Sequence, residues 1–400
     1  MSTAENYVPY PVFSPPGTGS SQPPRVFIGP QRYVQGEGVL DGIGRYLSLL
    51  SPRRAAVMIS ERGRTADGRR VFASLEAASI EPVVSVFQGE CSLEEIARHV
   101  ESLQGQAVDC LLAVGGGKCV DAGKAVAHRL QIPVVIVPTL ASNDAPTSAV
   151  SVLYTTAGVS SGAEFYPNNP ALVVVDTGIV ARAPVRFLVA GMGDAMATWY
   201  EARACLKNPK ALNVVGARPT LAAAAIGGIC ADTLFKEGTA AIAAVAAGRV
   251  DESLEKVVEA NTLLSGLGFE SGGLAGAHGI AQSYTAIPSV HAGYLHGEMV
   301  AMGTLTQLMM EGERDEACRV AEFFAAIGLP VHLGHMGLCP DDESALAVLV
   351  KGGLEFPFIR NLGVRVDAEL IRSAILDAHA LGLEVTGRLG DRAFRALHEK

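Results

Sequence analysis

Between residues 25 and 180 short β-branched runs alternate with stretches of helical periodicity, and beyond 180 the strand signal is gone. "RVFIG" (25–29) precedes "GVLDGIGRYLSLL" (38–50), "RRAAVMIS" (53–60) precedes "GRRVFASLEAASI", and "EPVVSVF" (81–87) precedes "SLEEIARHVESL" (92–103). "VDCLLAV" (108–114) leads into a helix after Gly117, and "PVVIVP" (133–138) and "ALVVVDTGIV" (171–180) complete the series. Strands apolar on both faces need cover on both faces, and intervening helices supply it, so the pattern predicts a doubly wound, mostly parallel sheet of the Rossmann-like, nucleotide-binding type. From 181 onward Ala, Leu, Gly and Glu at helical spacing predict an all-α lobe. The expected division is a flexible tail at 1–24, an α/β nucleotide-binding domain at 25–180 and a helical domain at 181–400, with the ligand in the cleft between the lobes.

Composition narrows the partner. In 400 residues a hydrophobic share of 49% is ample for a large core. A net charge of −9 with no long basic run disfavours nucleic acid and anionic membrane and leaves a small molecule. Seven cysteines without a CxxC pair, odd in number, read as reduced thiols of a cytoplasmic protein. The most apolar stretches, "LAAAAIGGIC" (221–230) and "TAAIAAVAAG" (239–248), are too short to span a bilayer and are separated by Asp232, Lys236 and Glu237. The first 24 residues lack the cationic start and apolar core of a secretory signal, and their Pro, Ser and Gly favour a flexible tail or an arm along a neighbour.

"LLAVGGGKCVDAGKAVAHRL" (111–130) reads as a buried strand, a glycine turn and a helix. Gly115, Gly116 and Gly117 let the backbone approach a ligand, and the helix N-terminus beyond favours an anion such as a diphosphate. The spacing departs from GxGxxG, so a purely structural turn is the competing reading, and Lys118 reads equally as a phosphate contact or a solvated helix-start residue. The loop "PTLASNDAPTSAV" (138–150) follows a strand C-terminus, where open α/β sheets bind ligands, and crowds Thr139, Ser142, Asn143, Asp144, Thr147 and Ser148 together. Glu61, after the second expected strand, suits the adenosine ribose of NAD rather than NADP, with a plain surface glutamate as the alternative.

Three further residues suit a divalent cation such as zinc or iron. Asp194 follows a glycine, expected to form a turn, in "VAGMGDAMATWYEARAC" (189–205), and by itself reads as a helix N-cap. His278 and His296 stand among small residues in "ESGGLAGAHGIAQSYTAIPSVHAGYLHGE" (270–298), and Pro288 between them puts them on different elements. A carboxylate and two imidazoles would leave a coordination position open for substrate, and small neighbours would let the helices approach.

"GGGKCVDAGKAVA", "PVVIVPTLASNDAPTSAVSVLYT", "FYPNNPALVVVDTGIVARAPVRFLVAGMGDAMATWYEARAC", "EANTLLSGLGFESGGLAGAHGIA" and "LHGEMVAMGTLTQL" resemble the glycerol dehydrogenases of the iron-containing alcohol dehydrogenase superfamily. The resemblance runs from about Arg25 to the C-terminus and implies a zinc ion, with iron as the alternative, held by Asp194, His278 and His296. It implies NAD bound through Glu61, Gly116, Gly117, Lys118, Thr139, Ser142, Ser148, Val150 and Tyr154, substrate contact at Asp144, and a homo-oligomer, an octamer among the options. Asn143 replaces the usual Thr, Val150 the usual Leu and Glu61 the usual Asp, and the segment between the two histidines differs from the family pattern; His291 within it reads as an exposed loop residue, with a group supporting a metal ligand or contacting substrate as the alternative. The implied reaction is reversible oxidation of glycerol to dihydroxyacetone. The alternatives are another vicinal diol or hydroxyketone (1,2-propanediol, 2,3-butanediol), a lyase or cyclase similar to dehydroquinate synthase, and a sensor that binds NAD without turnover.

Overall fold

The structure is a computed structural model that describes residues 7–13 and 22–399. Six strands form one parallel sheet in the order β1-β8-β5-β4-β2-β3: β1 Tyr33–Gly36, β2 Arg54–Ile59, β3 Glu81–Val86, β4 Cys110–Gly115, β5 Val134–Pro138 and β8 Leu172–Asp176. Four of them are buried almost throughout, as strands covered on both faces must be. The order reverses between β2 and β4, which pair from Ala55↔Cys110 to Ile59↔Val114. Beyond the carboxyl ends of these two strands lies the crevice where open α/β sheets hold their ligands. β6 (Val150–Tyr154) and β7 (Ser160–Phe165) form a separate antiparallel hairpin.

Two features depart from the expected strand pattern. "RVFIG" is not a sheet strand. Its Ile28 backbone N–H donates to Ser271 Oγ (2.9 Å), the same hydroxyl donates back to Ile28 O (3.1 Å), and Arg25 bridges to Arg218, so the segment docks on the helical half and Tyr33–Gly36 takes the sheet edge. The hairpin lies in a stretch for which no element was expected, just past the loop read at 138–150; its first strand alternates exposed and buried residues around Val152 and so signals a strand covered on one face. Of the tail expected at 1–24, residues 1–6 and 14–21 lie outside the described residues; Tyr10–Phe13 forms a short helical turn, with Tyr10 against Gly216 and Phe13 against Val214, Val215 and Ala217.

From Thr177 on, the chain is helical. No helix of the described residues is long and apolar enough to cross a membrane. One continuous core joins the halves, from Ile136 and Val173 of the sheet to Met192, Leu234 and Phe324 of the helices. The longest helices are Val185–Lys207 and Leu221–Ala246, and residues 252–272 run through a π-helical turn at Ala260–Leu264. Such a widened turn re-aims side chains: Asn261 Nδ2 reaches Ala141 O (2.9 Å) and Leu188 O (3.1 Å), tying the loop after β5 to the helical half.

The glycine turn expected before Asp194 does not exist. Gly191 and Gly193 sit inside helix Val185–Lys207, and Asp194 is a mid-helix residue. Glycine costs a helix interior about 1 kcal/mol relative to alanine, and packing explains its presence. A Cβ at Gly191 would stand 2.0 Å from Ala141 O, and one at Gly193 2.3 Å from Gly297 O. The same holds across the interface: a Cβ at Gly297 would meet Ala190 O at 1.8 Å, and one at Gly303 would meet Ala277 O at 2.1 Å. Small residues thus surround His278 and His296 because three helices touch backbone to backbone there. Gly297→Ala should destabilise the protein by about 1–3 kcal/mol or more and force the helices carrying Asp194 and His296 apart, to be read as a lowered urea midpoint together with lost metal retention.

Candidate active site

Asp194, His278 and His296 come from three helices, Val185–Lys207, Ala277–Tyr284 and His296–Met310. His278 is the second residue of its helix, after the turn at 273–276, and His296 is the first of its own, after the short helix Pro288–Gly293, so both imidazoles stand at helix starts beside the Asp194 helix. His278 Nε2 lies 3.3 Å and His296 Nε2 3.4 Å from Asp194 Oδ1, with the ring centroids 5.6 Å apart. Asp194 is 1% exposed, whereas the His296 side chain is 47% exposed, so the cluster is closed behind the carboxylate and open on the His296 side.

Asp144 borders the cluster. Its backbone N–H donates to Asp194 Oδ2 (3.3 Å), and Ser265 Oγ donates to Asp144 Oδ2 (2.8 Å). Burial first, and then repulsion from Asp194, push the Asp144 carboxyl up to about 7. Burial also opposes charge at Asp194, but His296 and His278 together hold it well below the usual carboxylate range. At His278 burial disfavours the imidazolium, yet Glu201 and Asp194 outweigh it and raise the pKa well above that of an ordinary histidine. Without a cation, a proton held on His278 supplies positive charge that Glu201 and Asp194 demand.

On the sheet side, β4 ends at Gly115 and helix Gly117–Leu130 begins after Gly116, an extended N-cap without a side-chain capping bond. The N–H groups of Gly117 and Lys118 that open this helix therefore have no side-chain cap. Thr139 N–H donates to Gly115 O (3.0 Å), and a Cβ at Gly117 would stand 2.6 Å from Asn143 Nδ2, so the 139–148 loop folds directly over the glycine turn. Ser142 is half-buried in that loop, and Lys118 pairs with Glu90 while its ammonium lies 5.5 Å from the Tyr154 ring centroid. Glu61 stands exposed at the carboxyl end of β2, 3.7 Å from Arg64. Ser148 is buried, bonded to Lys124 Nζ (3.1 Å), while Val150 starts β6 with its carbonyl on the same lysine.

The family description for iron-containing alcohol dehydrogenases matches residues 30–177. A glycerol dehydrogenase from Citrobacter freundii is 42% identical over 91% of this chain and the whole of that protein. The chain belongs to the iron-containing alcohol dehydrogenase family. A glycolaldehyde reductase from Halobacterium salinarum is 39% identical over 91% of this chain and 99% of its own. The crystal structure of glycerol dehydrogenase from Schizosaccharomyces pombe superposes with a TM-score of 0.88 at 35% identity, covering 92% of this chain and 94% of that one. Membership in the iron-containing alcohol dehydrogenases makes the chain an oxidoreductase and implies NAD and a metal ion as its working groups.

The residues present fit both groups. Among the described residues no donor makes a satisfactory hydrogen bond to buried Asp194 Oδ1, and one ligand atom from each of Asp194, His278 and His296 can be chosen so that all lie within 4.8 Å of one another. Tetrahedral ligands about 2.1 Å from an ion stand about 3.4 Å from each other, which is the spacing of Oδ1 from each imidazole nitrogen. For NAD, the uncapped helix start behind the glycine turn offers the backbone N–H groups that a diphosphate takes.

Three supporting residues escaped the sequence reading. Glu201 accepts from His278 Nδ1 (2.5 Å), His278 N (3.1 Å) and Ala275 N (2.9 Å), fixing the ring so that Nε2 faces Asp194. Its signal was present, since Glu201 follows Asp194 by seven residues, two helical turns along the same face. Ser265 and Glu298 offered no such spacing; Glu298 accepts from Leu295 N (2.7 Å) and Arg186 Nε (2.7 Å), fastening the start of the His296 helix to the Asp194 helix. Glu201→Gln should keep the fold but weaken metal affinity by roughly 10- to 100-fold, measured by competition with a chromogenic chelator. Because a cation must displace the proton from His278, the affinity of the unsubstituted protein should rise with pH across the neutral range, and a flat profile in the same titration would contradict this account.

Proposed function

We propose that the protein oxidises glycerol to dihydroxyacetone, reversibly, with NAD and a zinc ion, residues 25–180 binding NAD and residues 181–400 binding metal and substrate. The observation that carries this reading is the convergence of Asp194, His278 and His296 beside Asp144, at the carboxyl edge of the crevice that opens on the glycine turn. The 42% identity to a full-length glycerol dehydrogenase supports glycerol as the substrate.

A divalent cation in this site supplies Lewis acidity at the substrate's secondary hydroxyl, and NAD supplies the hydride acceptor. Asp194, His278 and His296 would hold the cation, and Glu201 keeps the His278 ring in the tautomer that leaves Nε2 free to ligate. The N–H groups at Gly116 and Gly117 would hold the diphosphate, and Glu61 would accept from the adenosine ribose. Lys118, Thr139, Ser142, Ser148, Val150 and Tyr154 line the remaining cofactor path. Ser148 takes part through its backbone, since its hydroxyl is tied to Lys124. Asp144 has one oxygen committed to Ser265, so the other accepts a substrate hydroxyl and can take its proton.

The halobacterial relative supports a second substrate class for the same site, a small hydroxyaldehyde reduced in the reverse direction. A dehydroquinate synthase-like lyase needs free cations around the metal for an acidic substrate; Arg203 is instead ion-paired with Glu313 and Glu311. NADH formation across a panel of glycerol, 1,2-propanediol and 2,3-butanediol, with glycolaldehyde in reverse, should give the highest kcat/KM for glycerol. Failure to reduce NAD with any diol would refute the assignment. Asp194→Ala should lose bound metal and at least about 10³-fold in turnover while retaining NADH binding. Asp144→Asn should keep the metal and lose about 10²–10⁴-fold in kcat. Its rate should no longer rise with pH through the neutral range, where the native carboxyl gives up its proton.

A further inference from the structure

The β6–β7 hairpin is anchored firmly at its base. Val152 N–H donates to Asp121 Oδ2 (3.1 Å), Ser151 Oγ to Asp121 O (2.8 Å) and Tyr154 N–H to Cys91 O (2.9 Å). Its tip is a turn held mostly by itself, through Gly158 N–H to Thr155 O and Thr155 N–H to Val159 O (each 2.8 Å), with Gly158 at φ +80 and Val159 56% exposed. Among the described residues one hydrogen bond leaves the tip for the helical half: His291 Nε2 lies 2.7 Å from Gly158 O. A carbonyl only accepts, so Nε2 carries the hydrogen.

His291 belongs to the short helix Pro288–Gly293, which ends just before the His296 helix begins. That helix is itself tied down, since Arg186 Nη2, from the helix carrying Asp194, donates to Gly293 O (2.7 Å). On the other side, the hairpin carries Tyr154 beside Lys118, and Glu90, the partner of Lys118, lies 3.8 Å from where a side chain at Gly158 would start. The bond between His291 and Gly158 therefore closes a continuous rim from the cofactor turn to the cation ligands, joining residues 133 positions apart.

We propose that His291 is a positioning residue: by hydrogen bonding to the Gly158 carbonyl it straps the hairpin tip to the cation-side helix and retains the dinucleotide in the crevice. The retention rests on the NAD reading above, while the strap itself does not. A single neutral hydrogen bond shifts an open–closed equilibrium by roughly two- to tenfold. That is enough to slow cofactor escape and little enough to break on every turnover.

Hydrogen exchange of the amides at 155–160, stopped-flow NADH dissociation and bound-metal content should be measured on the full chain and on His291→Ala, His291→Asn and His291→Gln. His291→Ala should speed exchange at the tip and NADH dissociation, each roughly two- to tenfold, with metal content unchanged. The short His291→Asn should behave like alanine, and His291→Gln, whose amide donor has nearly the reach of Nε2, should restore both in part. Unchanged exchange at 155–160 in His291→Ala overturns the strap, and if that variant does not fold, equal exchange in the Asn and Gln variants does so. A loosened tip with unaltered NADH dissociation overturns the retention role alone. Absence of NADH binding by the unsubstituted chain instead defeats the NAD reading, and the exchange data still decide the strap.

Discussion

A carboxylate with 1% exposure, Asp194, has an oxygen that no donor among the described residues satisfies, and the surrounding structure is arranged around that charge. Burying an ionised group without compensation costs several kcal/mol, so positive charge must be supplied at Oδ1. Two imidazole nitrogens stand there at the spacing a shared cation would set. Neither position would hold without the backbone contacts at Gly193, Gly297 and Gly303, which let three helices come closer than any side chain permits. Electrostatic demand and steric permission thus act on the same few residues.

The surrounding carboxylates extend this logic. Glu201 and Asp194 flank His278 from two sides, and Asp144 sits against Asp194 with its own charge suppressed by burial and repulsion. Three acids facing two histidines form a site short of positive charge, and a divalent ion corrects the imbalance more fully than protons can. Asp144 belongs to the loop after β5 and not to the helical half, so its approach to Asp194 also brings the crevice of the sheet up against the cation cluster. Asn261, reaching from the π-helical turn to Ala141 and Leu188, holds that approach in place.

Much of the architecture was legible in the residues. Five of the six parallel strands coincide with β-branched runs, and four of these are covered on both faces and so carry no polar alternation to blur the signal. The edge strand Tyr33–Gly36 was missed in favour of "RVFIG", since edge strands are short and their pattern is weak, and since Ser271, from far along the chain, claims Ile28. Asp194 was misread as following a glycine turn because local propensity treats Gly191 and Gly193 as helix breakers. Their reason for being glycine lies in Ala141 and Gly297, which no local window contains.

Residue type and order thus determined the sheet, the helical half, the glycine turn and the candidate ligands, because periodicity and side-chain chemistry are local properties. Tertiary structure alone decided that Glu201 orients His278, that Ser148 turns inward to Lys124, and that His291, read as an exposed loop histidine, bonds across the cleft to Gly158. Each of these pairs two groups distant in sequence, and a hydrogen bond depends on a separation of about 3 Å and an angle, which only the packed chain defines.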